Sequence, residues 1–137
     1  MKNRLLLGLA CVSLSAGISG CGGGDDTVVV VQDSSAPLTV RWTIDGTIDS
    51  GACAFYRADL FELVVLDPGG AVVTELTAPC EDFEVSLDLL EGSYDADATL
   101  IDAFDRPVTI TEQLNDLRLI PGTELVVDVD FPVQSIL

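Results

Sequence analysis

The side chains of this sequence with the sharpest chemistry are its four cysteines, Cys11, Cys21, Cys53 and Cys80, and its 23 carboxylates. A thiolate is a nucleophile, a metal ligand or half of a disulfide. Carboxylates supply oxygen ligands for hard cations and, in pairs, acid–base catalysis. The 137 residues include no histidine, which removes histidine-based triads and histidine-ligated zinc. Cys53 and Cys80 lack the Cys-x-x-Cys spacing of a thioredoxin-like redox site. With so many carboxylates, some pair falls at any catalytic distance by chance, and nothing in the spacing marks one pair as special. The sequence reads as a non-enzyme.

The first of these residues in a recognisable setting is Cys21. Met1-Lys2-Asn3-Arg4 forms a basic head, Leu5 to Val12 an apolar run, and Ile18-Ser19-Gly20-Cys21 closes the stretch. A positive head, a short apolar segment and small residues at its end describe a secretory signal. The apolar part is shorter than the roughly 20 residues that cross a bilayer. The tetrad Ile18-Ser19-Gly20-Cys21 resembles the lipobox of bacterial lipoproteins. That resemblance implies a diacylglyceryl group on the Cys21 sulfur, cleavage between Gly20 and Cys21, and acylation of the new N-terminus. Several acyl chains anchor firmly where one is marginal. Gly22, standing where aspartate would favour the inner membrane, implies the outer membrane, with the domain facing the periplasm or the cell surface. Cleavage after Ala16 would instead leave Cys21 as an odd thiol in an oxidising compartment.

If Cys11 leaves with residues 1–20 and Cys21 carries lipid, Cys53 and Cys80 remain, and an exported pair reads as one disulfide. Lys2 and Arg4 leave too. Four arginines (Arg41, Arg57, Arg106 and Arg118) then face 23 carboxylates, a net charge of −19. Such a surface excludes nucleic-acid binding through a basic patch and repels anionic headgroups. It suits solubility, a basic partner or a divalent cation. Calcium is the one cofactor the acids suggest, through Asp95, Asp97, Asp102 and Asp105 around one expected strand and its turn. The Asp-x-[Asp/Asn]-x-[Asp/Asn]-Gly loop motif is absent.

Residues 21–36 read as lipidated cysteine and tether, Gly22-Gly23-Gly24-Asp25-Asp26 being flexible chemistry. Val28–Val31 interrupts it as an edge strand or a membrane-touching segment. The folded domain is expected over 37–137. Leu38, Val40, Trp42 and Ile44 alternate with polar residues, a half-buried strand in which Trp42 is a core anchor or, alternatively, an exposed ligand platform. Asp45 to Cys53 reads as a loop, and Phe55-Tyr56-Arg57 beside it as either a ligand-binding loop or a plug on one end of the core. Phe61–Leu66, the Asp67-Pro68-Gly69-Gly70 turn and Ala71–Leu76 make a hairpin. Further strands follow around Phe83–Leu87, Tyr94–Leu100, Val108–Ile110, Leu117–Leu119 and Leu125–Phe131. Thr111–Asp116 reads as either a helical turn or a bulge. Nothing holds helical periodicity over three turns. Seven or eight short strands with turns every 8 to 12 residues or so predict an all-β fold, a small antiparallel β-sandwich.

Gly92-Ser93-Tyr94 through Asp105, followed by Pro107-Val108-Thr109, resembles a pattern of immunoglobulin-like and transthyretin-like sandwich domains, with Arg106 where glycine is more typical. The whole chain, including Val129-Asp130-Phe131-Pro132, resembles small lipoproteins of Gram-negative bacteria. These likenesses imply a sandwich fold and no catalytic residues. The function expected is that of a lipid-anchored envelope protein, structural or accessory, docking onto an envelope partner. The alternative is a binding module for a carbohydrate, a peptide or calcium.

Overall fold

The alternation around Trp42 becomes strand β1, Ser35–Ile44. Its even-numbered residues, Ala36, Leu38, Val40, Trp42 and Ile44, are essentially inaccessible to solvent. The computed structural model describes residues 34–137, so the lipobox, Cys21 and Val28–Val31 lie outside the described residues. β1 starts two residues before the expected boundary at Pro37. Ser35 and Ala36 already pair with Leu90 and Leu89. Pro37 is tolerated inside the strand because pairing with the other neighbour begins only at Leu38, so a missing N–H is not needed there.

Two sheets face each other. In the three-stranded sheet, β1 lies between β4 (Glu84–Leu90) and β7 (Leu125–Phe131). The four-stranded sheet runs β3 (Val72–Pro79), β2 (Leu60–Leu66), β5 (Gly92–Ile101) and β6 (Glu112–Leu119). Seven strands fall within the expected seven or eight, and the short strand expected at Val108–Ile110 is loop, with isolated bridges at Pro107 and Thr109. One pairing departs from the antiparallel expectation, since β7 runs parallel to β1, Leu38 opposite Leu125 through Ile44 opposite Phe131. Period-two alternation carries no information on strand direction. A parallel pair needs a long crossover, and here the other five strands supply it.

The ambiguous stretch after Thr111 is a bulge. Tyr94 pairs with Leu117 and Ala96 with Leu114, so Asn115 and Asp116 together face Asp95. Asp116 takes a positive φ of 59° and its N–H donates to the Asp95 carboxylate at 3.0 Å. An extra residue of this kind bends and twists the strand.

Aromatic rings fill the core between the sheets. Trp42 stacks face to face on Phe61 with centroids 4.0 Å apart, and Phe131 meets Phe61 edge-on at 6.3 Å. Trp42 is 1% exposed, so it is a core anchor and not a ligand platform. Burying an apolar side chain of this class contributes about 1.5–3 kcal/mol.

The expected loop after β1 contains a helix, α1, Ser50–Tyr56. Asp49 caps it by accepting from the Gly51 N–H at 2.9 Å, and Arg57 ends it with a left-handed φ of 59°. Two turns are too short to display helical periodicity. Cys53 of α1 is joined to Cys80 by a disulfide, as expected. Cys80 opens a 3-10 turn, Cys80–Asp82, that leads into β4.

Strand directions sort the loops into two ends. The chain enters at Ser35, beside the turns at 67–71, 91 and 120–124. The far end carries α1, the Cys80–Asp82 turn, the loop at 102–111 and the C-terminal residues 132–137.

Candidate functional site

The far end begins where period-two alternation stops. On the outer face of the three-stranded sheet, residues that point away from the core line up in rows. Glu84, Arg41 and Asp128 form one row across β4, β1 and β7, and Thr43 and Asp130 pair in the next. The loop after β1 brings Ile48 alongside, and the turn before β4 brings Asp82 and Phe83. Together they bound a groove of about 550 Å³. Ile48 is 72% exposed on its rim, an apolar side chain left in solvent in an otherwise polar loop.

Four carboxylates, Asp82, Glu84, Asp128 and Asp130, line this groove with a single cation, Arg41. Glu84 accepts from Arg41 Nε at 2.7 Å, which pushes the guanidinium further above its ordinary value. Asp130 accepts from the Thr43 hydroxyl at 2.7 Å and the Gly46 N–H at 2.8 Å, tying β7 to the turn after β1. Among the described residues, no hydrogen bond reaches the side chains of Asp82 or Asp128. The walls therefore present unneutralised negative charge above an apolar lining of Ile48, Phe83 and Val129. Such an arrangement can hold a ligand but brings no thiol, imidazole or amine to attack one. The carboxyl that burial and its neighbour Glu75 push upward, Glu62, belongs to the other sheet.

The loop candidates Phe55, Tyr56 and Arg57 sit elsewhere on the far end. Phe55 is 77% exposed on α1 and meets Tyr56 edge-on at 4.8 Å. Tyr56 packs against the core cluster, and Arg57 serves as the helix cap. The triplet thus divides into one exposed ring, one plug and one cap.

The four aspartates proposed for calcium are not brought together. Asp95 and Asp97 lie within β5 and Asp102 beyond its end, so roughly 20 Å of extended chain separates the first from the third. Asp95 receives the Asp116 N–H. Asp102 is occupied by its own turn, accepting from the Phe104 N–H at 2.8 Å and from Arg106 Nε at 2.7 Å. The Arg106 hydrogen bond holds the Asp102 carboxyl below its usual range. Asp105 sits in the same turn with a φ of 58°. Among the described residues, no group of three acidic or thiol side chains is placed to hold a metal ion.

Comparison with known proteins adds one structural likeness. No family model and no curated protein matches the sequence. Part of a leucine-rich repeat protein from Bacteroides thetaiotaomicron VPI-5482 is similar in structure, with a TM-score of 0.47 and 16% identity. The likeness covers 73% of this chain and 12% of that one.

Nothing in the sequence marks the groove residues as one site. Arg41, Thr43, Asp128 and Asp130 are recognisable as outward positions of alternating strands, but only the parallel β1–β7 pairing sets them side by side. Ile48 is the one local signal, an apolar residue between Gly46 and Gly51 with no alternating partner.

Proposed function

We propose that this protein is a non-enzymatic, lipid-anchored accessory protein of the bacterial cell envelope, held in the outer membrane through Cys21 and docking an envelope partner with its far end. The observation that carries this reading is the groove beside Ile48, an apolar-lined, acid-walled surface at the end of the sandwich remote from the chain's entry at Ser35. The sheet arrangement supports an immunoglobulin-like reading of the domain. The chain crosses between sheets after β1, β3, β4 and β6, in the manner of Greek-key sandwiches.

Affinity capture from crosslinked native membranes tests the proposal, using the wild type, Cys21→Ala and Ile48→Ser. The expected result is one envelope protein captured by the wild type and depleted with Ile48→Ser, while Cys21→Ala leaves the membrane fraction. Capture that ignores Ile48→Ser would contradict the docking reading. A membrane-bound Cys21→Ala would contradict the anchor.

A second reading, a binding module for a carbohydrate or peptide, is favoured by Phe55, whose exposed ring braced by Tyr56 offers a flat stacking platform. Phe55→Ala would then abolish ligand binding and leave partner capture intact.

A further inference from the structure

We infer that the groove beside Ile48 takes an extended peptide segment carrying arginine or lysine next to an apolar side chain. This deepens the docking reading and rests on it. The occupant follows from complementarity. Asp82 and Asp128 face the groove with no hydrogen-bond partner among the described residues, and Arg41 is already neutralised by Glu84 at 2.7 Å. A cation is therefore what the walls lack. A bare inorganic or small organic cation would leave Ile48 and Phe83 uncovered, so the occupant also carries apolar surface. A second copy of this chain is disfavoured, because 23 carboxylates against four arginines outside residues 1–20 make two copies repel. Anionic lipid and nucleic acid are repelled for the same reason. An extended peptide meets both demands, since residues two apart project from the same side of the chain.

The test uses the full chain in phosphatidylcholine nanodiscs and a short synthetic peptide repeating Arg-Ser-Leu-Ser, which sets arginine and leucine on one side. Two counterparts replace arginine by citrulline or leucine by serine. Binding is read by calorimetry and by amide shifts of Thr43 and Val129. The parent peptide is expected to move those amides, and each counterpart to bind at least about tenfold more weakly. Asp82→Asn with Asp128→Asn should weaken the parent peptide by a similar factor. The charge-matched control, Glu75→Gln with Asp97→Asn on the opposite sheet, should change it little. Equal weakening by both pairs would mean diffuse attraction to an acidic protein and would overturn the inference. Equal binding of the citrulline peptide at the same amides would overturn the cation while leaving the docking reading standing. No shift at Thr43 or Val129 with any peptide would overturn both.

Discussion

The indole Nε1 of Trp42 donates a hydrogen bond of 2.9 Å to the carbonyl oxygen of Cys80. This contact joins the largest core side chain to the backbone of the disulfide that pins α1, so the core and the far-end loops share one fastening. It also satisfies the polar edge of a buried ring that stacks on Phe61 and meets Phe83 at 6.3 Å. Trp42→Phe keeps one aromatic six-membered ring and loses the fused five-membered ring together with its N–H. The Cys80 carbonyl would be left without this donor in a buried setting, a cost of about 1–3 kcal/mol. Trp42→Ala should cost about 3–5 kcal/mol. Urea unfolding with an unchanged m-value would give both numbers, and a Trp42→Phe variant as stable as the wild type would deny the hydrogen bond its role.

Cys53 and Cys80 close a loop with a sequence separation of 27. In the chain-entropy treatment, opening it costs about 3–4 kcal/mol. The double variant Cys53→Ala/Cys80→Ala, and equally the wild type under reductant, should lose that much stability in denaturant. The loosening should be greatest in the far-end loops, so amide exchange should rise first in α1 and the Cys80–Asp82 turn.

Glu62 provides a pH test. Burial, and then the charge of Glu75, raise its carboxyl above the ordinary 4.5. The folded state thus holds this proton more tightly than the unfolded chain does. Ionisation of Glu62 therefore opposes folding at neutral pH. That penalty is relieved as pH falls through the raised folded value and is gone below about 4.5, the ordinary glutamate range. Glu62→Gln should melt higher than the wild type at pH 7, with the gap closing by about pH 4. A gap that persists or widens in acid would contradict the assignment.

Phe55 and Tyr56 are neighbours with opposite burdens. Phe55→Ala removes an exposed ring and should leave stability within about 0.5 kcal/mol of the wild type. Tyr56→Ala withdraws a ring from the core cluster and should cost about 1–3 kcal/mol, less than a fully buried aromatic. Thermal melts of the two variants side by side would separate a surface platform from a plug.

Much of this architecture is legible in the residues. Leu38, Val40, Trp42 and Ile44 announce a strand with a buried face, and Asp67-Pro68-Gly69-Gly70 announces the turn of the β2–β3 hairpin. The cysteines announce their bond. Strand direction is not legible, because a period of two reads the same both ways, and so the parallel β1–β7 pair stays hidden. The helix α1 is hidden by its length, and its N-cap at Asp49 is the only local mark of it. The groove is hidden for a different reason. Its parts come from residues 41–48, 82–84 and 128–130, and each segment alone looks like an ordinary solvated face. Asp95 and Asp102 show the converse relation, acids close in sequence that an extended strand holds apart.

The docking reading is tested most directly by a photo-crosslinking amino acid placed at Ile48 in the full chain in living cells. Irradiation should yield one dominant adduct with an envelope protein, attached at a segment containing arginine or lysine. The adduct should disappear when Asp82→Asn and Asp128→Asn are introduced together. No adduct, or the same adducts from a probe at Val64 on the opposite sheet, would contradict it.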